Sequence, residues 1–243
     1  MKSIAFANRN LKEFLRDPIT LVFGMGLPVM LIVLMSVIQR NVGVTPFEIG
    51  RFAPGMAVFS LSFIALFSGM LLARDRTSSF LMRIFASPMT AADFIAGYSL
   101  PLLAMAVLQS AVCFTASFFF GLEVSVRVLA AMAVLLGVSL LYVGLGLLSG
   151  VLLSDKQVGG ISSLFINVAT LMSGTWFDLE IVGEGFRKVC YALPFAHAVD
   201  AVKNALSGQG EVLVPLLWVL GYAIVVLAAA TVLFNRRMHN GRA

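Results

Sequence analysis

The chain has 243 residues, of which 60% are hydrophobic and 12% charged, with a net charge of +5 and a mean hydropathy of +0.98. A soluble domain carries about 25% charged residues, and half that proportion leaves too little polar surface to clothe a water-soluble globule. Composition therefore excludes a soluble enzyme or nucleic-acid-binding domain and specifies an integral membrane protein, whose length suits a single domain of six spans at about 20 residues each.

The N-terminal stretch 3–16 is helical in period. Ile4, Ala7, Leu11, Phe14 and Leu15 fall on one face, and Arg9, Lys12, Glu13 and Arg16 lie elsewhere. Such a helix lies in the membrane interface with its basic residues toward the lipid headgroups. Residues 2–16 lack the apolar core of a cleavable signal peptide. Asp17-Pro18 then marks a helix start.

Six apolar runs without Asp, Glu, Lys or Arg predict spans over about 19–38, 52–73, 94–122, 128–154, 157–177 and 212–234, trimmed or extended at their ends by a residue or two. Gly24, Gly26 and Pro28 favour a kink or close packing in the first. The fourth holds Gly146-x-x-x-Gly150, a spacing that lets backbones approach in lipid. In the fifth, Ser163, Asn167, Thr170 and Gly174 form a stripe that belongs against protein or a water-accessible path. Phe63, Phe67, Phe165 and Met172, with Asn167 and Thr170, are the candidate lining of such a path. Residues 178–211 are too polar for a span. Two short apolar stripes, Phe186–Leu193 and Val199–Leu206, separated by Pro194 and closed by Gly208, predict a helical hairpin that dips into the bilayer and returns.

Basic residues fix the orientation. With six spans, the side bearing both termini holds eleven Lys and Arg, and the opposite side holds six: Arg40, Arg51, Arg127, Arg187, Lys188 and Lys203. The positive-inside rule places both termini, and the 74–93 connection, in the cytoplasm of an inner or plasma membrane. Cys113 and Cys190 have no metal-site or disulfide-framework spacing.

The connection RDRTSSFLMRIFASPMTAAD, 74–93, carries the functional argument. Phe80, Leu81, Ile84 and Phe85 make an apolar stripe at helical spacing, and Arg74, Asp75, Arg76 and Arg83 supply charge. Ser87-Pro88 breaks the helix, and Thr90-x-x-Asp93 forms a capping box for the third span. A short amphipathic helix across the cytoplasmic mouth is a docking element, anchored by its stripe and oriented by its arginines.

The run Arg83–Pro88 ahead of a long span resembles the coupling segment of type-2 ABC exporter permeases. Residues 171–206 resemble that family's passage from the fifth span into a proline-marked, partly re-entrant outer hairpin. They include Ser173-Gly174, Trp176, Phe177, Asp178 and the run ALPFAHAVDAV with Pro194, His197 and Asp200. This resemblance to the drug-, lipid- or glycan-exporting type implies two permease chains and two cytosolic ABC ATPase subunits that hold ATP and Mg. The family's glutamate after the coupling arginine is absent, because Thr77 follows Arg76 and the nearest acid is Asp75. The sequence contains no Walker A motif of its own. Abundant Phe and Met and uncharged spans point to an amphiphilic cargo and an external energy source rather than ion coupling.

Two other chemistries would draw on residues of the same region. A six-span, rhomboid-like serine protease would use Ser173 and His197, although Ser173 lacks the glycine two residues before it. His197 and Asp200, spaced i and i+3, are half of a metal site without further ligands.

Overall fold

The computed structural model describes residues 2–43, 47–77 and 91–240. The elements of the described residues are all helical: α1 (Lys2–Arg16), α2 (Pro18–Leu21), a π-helical turn (Val22–Gly26), α3 (Leu27–Val42), α4 (Ile49–Thr77) and α5 (Ala91–Phe118). There follow α6 (Val126–Leu152), α7 (Asp155–Leu171), α8 (Leu179–Val182), α9 (Glu184–Ala192), α10 (Pro194–Ser207) and α11 (Leu213–Asn240). Lipid offers no hydrogen bonds, so a helix that closes its own backbone bonds is what these apolar runs can form.

Among the described residues, five helical stretches are long and apolar enough to cross a membrane: Val22–Val42, Ile49–Arg76, Asp93–Phe118, Val126–Leu152 and Leu213–Arg236. The chain is thus a multi-pass membrane protein. The expected fifth span falls short of that length. Its helix, α7, has 17 residues and ends at Leu171, because Gly174 takes a left-handed backbone (φ 74°) and Ser173 and Thr175 pair hydroxyl to hydroxyl at 2.7 Å. At its other end, Ser154 and Gln157 form a capping box.

The helices α4 and α6 form the centre. α4 packs against α6, α5, α7, α10 and α3, and α6 also meets α11 and α10. Their contact is close because it is made of glycine. A methyl group on Gly150 would sit 2.7 Å from the carbonyl oxygen of Gly69, and one on Gly69 would sit 2.5 Å from Ser149 Oγ. The GxxxG spacing is therefore a real helix–helix seam. Serines within these helices turn back on their own backbones, as with Ser60 to Ala57, Ser68 to Ala65 and Ser139 to Leu136, which saves them an unsatisfied hydroxyl.

The first span is interrupted by the π turn, where Gly24 and Gly26 sit. Gly24 is buried, with the Gln109 amide of α5 against it. Gly43, with φ 71°, closes α3 by donating from its amide to the Gln39 carbonyl. Charged residues expected in the 74–93 connection lie instead on α4, which runs on through Thr77.

On the opposite end of the bundle, α9 and α10 form the expected helical pair around Pro194, and α10 closes at Gly208. Trp176 packs edge-on against Phe52, with ring centroids 5.7 Å apart, and Asp178 pairs with Arg51. These contacts pin the end of the α7 turn to the start of α4.

Candidate functional site: the base of the 74–93 connection and the adjoining cleft

The residues that lead into the connection are held by two polar anchors. Asp75 is 4% exposed. Its carboxylate accepts two hydrogen bonds from Arg9 of α1, at 2.8 and 3.2 Å, and one from the hydroxyl of Tyr98 of α5, at 2.6 Å. Arg9 also meets Glu13 one turn on, at 2.9 Å. Asn10, fully buried, donates to the Gly97 carbonyl at 3.2 Å. Burial opposes the charge on Arg9, but the hydrogen bond and field of Asp75 outweigh it and raise its pKa. Around this knot Phe6 packs on Phe94 and Tyr98, with centroids 5.1 and 5.0 Å away. Gly97 leaves the room that the Phe6 ring fills.

The second anchor is Arg76. Its Nη1 reaches the carbonyls of Gly150, Val151 and Leu153 at 2.5, 2.6 and 3.2 Å. Those are the last carbonyls of α6, which have no intrahelical partner and carry the negative end of the helix dipole.

Of the candidate coupling residues, Arg74, Asp75 and Arg76 lie on α4. Asp75 turns inward, its carboxylate held by α1 and α5. Arg76 is likewise directed at α6, and Arg74 is exposed. Phe80, Leu81, Arg83, Ile84, Phe85, Ser87, Pro88 and the Thr90 of the expected capping box lie outside the described residues.

Beside the knot, α1 and α4 enclose a cleft of about 1140 Å³. Arg9, Lys12, Glu13, Arg16, Asp17 and Arg74 edge one end. Phe14, Phe23, Phe63, Leu66, Phe67 and Met70 line the rest. Phe59, Phe63 and Phe67 form a ladder up α4, with successive centroids 5.3 and 6.2 Å apart.

The six candidate path residues therefore do not share one surface. Phe63 and Phe67 line the cleft. Phe165 packs edge-on against Phe195 of α10, 5.5 Å away. Asn167 is exposed and bonds back to Ser163 of its own helix at 2.8 Å, and Thr170 is buried and bonds back to Ile166 at 2.6 Å. Met172 joins a small cluster with Leu179, Cys190 and Ala196. The expected polar stripe of the fifth span is half exposed, and its hydrogen bonds are satisfied within α7. Sequence reasoning placed Lys12 and Arg16 on the interfacial helix without connecting them to Phe63 and Phe67. Their shared cleft is set by the docking of α1 on α5, which no local pattern encodes.

In the α9–α10 pair, His197 stacks on Trp218, with centroids 5.3 Å apart and planes 2° from parallel. Its Nε2 lies 2.9 Å from the Tyr191 carbonyl. Tyr191 donates its hydroxyl to Asp200 at 2.8 Å; burial and the Asp200 charge push its phenol up to about 12. Ser173 donates to the Thr170 carbonyl at 2.7 Å. Ser173 and His197 are thus engaged with different partners and do not form a nucleophile–base pair. Among the described residues there is no group of three or more metal-ligating side chains.

A protein-family model described as ABC-2 type transporter matches residues 2–206, which takes in both anchors, the cleft and nearly all of the α9–α10 pair. No curated protein matches the chain.

Proposed function

The chain belongs to the ABC-2 type transporter family of membrane components, and from that membership we propose that it is the permease subunit of an ATP-driven exporter of amphiphiles. A separate cytosolic ABC ATPase holds ATP and Mg and docks on Arg74–Pro88, and two permease chains together form the path. The observation that carries this reading is the double anchoring at the base of that segment. Asp75 ties it to α1 and α5, and Arg76 ties it to the end of α6. A push delivered beyond Thr77 is felt at once by the interfacial helix and by two spans besides α4. ATP binding moves the equilibrium only as far as it favours one arrangement of these helices over the other.

In this reading Asp75 works inside the permease. Docking falls to Arg74 and to Phe80, Leu81, Arg83, Ile84, Phe85, Ser87 and Pro88. α7 spans about 25 Å; with the turn from Met172 to Phe177 it completes a sixth crossing of a hydrocarbon core about 30 Å thick. Both termini are then cytoplasmic, in the inner or plasma membrane.

Co-expression with candidate ABC ATPases tests the proposal. Arg83→Glu or Phe85→Asp is expected to abolish co-purification. A stable complex indifferent to both changes, or a cysteine at Ser79 labelled from outside the cell, overturns it.

A further inference from the structure

We propose that the α1–α4 cleft binds an amphiphile with an anionic head group, the head at Lys12, Arg16 and Arg74 and the tail along Phe67 and Phe63. This rests on the exporter reading and specifies its substrate class. Arg9 is committed to Asp75 and Glu13. Beyond Arg9 and its two carboxylates, the mouth is edged by Lys12, Arg16 and Arg74 and by Asp17, so that the whole cluster keeps a small net positive charge. Lys12 and Arg16 are exposed, so this polar end reaches the surface. Basic side chains at the level of the headgroups attract anionic lipids by about 1 kcal/mol each.

The dimensions fit one lipid tail. Phe63 and Arg74 are eleven residues apart on α4, about 16 Å of helix. That is half of a hydrocarbon core about 30 Å thick, the depth of a single leaflet. The cleft, about 1140 Å³, exceeds the 300–1,000 Å³ or so of common small-molecule sites. Its aromatic ladder has no polar atom for a sugar or other water-soluble solute. A second copy of this chain seated here would have to cover three cations with an apolar helix face. An anion followed by hydrocarbon matches both ends.

The test is native mass spectrometry of the full chain released from nanodiscs, titrated with phosphatidylglycerol, phosphatidylcholine, dodecyl phosphate, dodecanol and inorganic phosphate. Phosphatidylglycerol and dodecyl phosphate are expected to bind about ten- to thirtyfold more tightly than their uncharged-head counterparts, a preference lost in Lys12→Gln/Arg16→Gln. Both replaced residues are exposed, so folding is not at stake. A dodecyl phosphate with a photoreactive group at the tail end should cross-link within residues 63–70. Equal binding of phosphatidylglycerol and phosphatidylcholine overturns the proposal, as does a preference that survives the double variant. So does inorganic phosphate that competes as well as dodecyl phosphate, which would mark a site for the free anion. Cross-links between two chains, or outside the cleft, also overturn it. Co-purification with the ATPase in the same preparations separates the two readings. A parent chain without head-group preference but with an intact complex rejects this inference alone, whereas no complex rejects the exporter reading.

Discussion

Replacing Asp75 with alanine should undock α1. The side chain is buried and accepts three hydrogen bonds, two from Arg9 at 2.8 and 3.2 Å and one from Tyr98 at 2.6 Å. Tyr98 is fully buried, so its orphaned hydroxyl costs about 1–3 kcal/mol. Arg9 is a different case. Its side chain is 36% exposed and keeps Glu13 at 2.9 Å, so it partly resolvates and its loss is discounted to about 1 kcal/mol. The sum, about 2–4 kcal/mol, multiplies the undocked population of α1 about 30- to 900-fold. Asp75→Asn keeps an acceptor for Tyr98 and loses only the charge, so its effect is expected below that range, at about 1 kcal/mol. Trypsin reports the change directly, because α1 carries Arg9, Lys12 and Arg16. Cleavage of the full chain in nanodiscs should accelerate strongly in Asp75→Ala and modestly in Asp75→Asn. A rate within about twofold of the parent, or identical rates for the two variants, would refute the account of the knot. In an assembled exporter, Asp75→Ala should leave the ATPase bound and hydrolysing while transport falls.

Arg76→Ala strands the three terminal carbonyls of α6 and should lower stability by about 1.5–3 kcal/mol, read as a lower thermal midpoint in detergent; Arg76→Lys should recover part of it. Gly146→Val drives a branched side chain into Ala65 and Ser68 of α4 and should cost more than about 3 kcal/mol. Gly159→Ala, where nothing lies within 4 Å, should be neutral; equal effects of the two would remove the seam from the argument. The Tyr191 phenol should titrate in phenolate absorbance near 12, and Asp200→Asn should lower it only part of the way, because burial, the largest cause of the shift, remains. Because the folded-state pKa is raised, the linked stability is complete below the ordinary tyrosine pKa and disappears as pH climbs through about 12.

Much of the bundle was legible because lipid imposes length. The runs behind α4, α5, α6 and α11 are apolar over more than the thickness of the bilayer, and the helices follow them to within a few residues. Their ends were less legible wherever a charged residue keeps the helix going. Asp75 and Arg76 read as loop because nothing local stabilises them. Their partners, Arg9 and the Gly150–Leu153 carbonyls, are 66 and more than 70 residues away. The periodicity of α7 showed that Ser163, Asn167 and Thr170 share a face, but not which neighbour covers it. Thr170 is buried, and Ser163 and Asn167 are exposed. Phe63 and Phe67 were identifiable as a pair at one-turn spacing. The basic residues that complete their cleft come from another helix, brought there by the fit of Phe6 into the space over Gly97.

The π turn at Val22–Gly26 gives the first span an unusual tolerance. A π turn is a regular α-helix with one surplus residue wound into it. Deleting one residue from an ordinary span rotates everything beyond the cut by about 100° and turns its greasy and buried sides out of place. Deleting one residue here instead lets the coil relax to even pitch, with Phe14 on one side and Ile32 on the other still facing their present neighbours. The surplus residue marks the one site on this span where the chain can shorten without losing register.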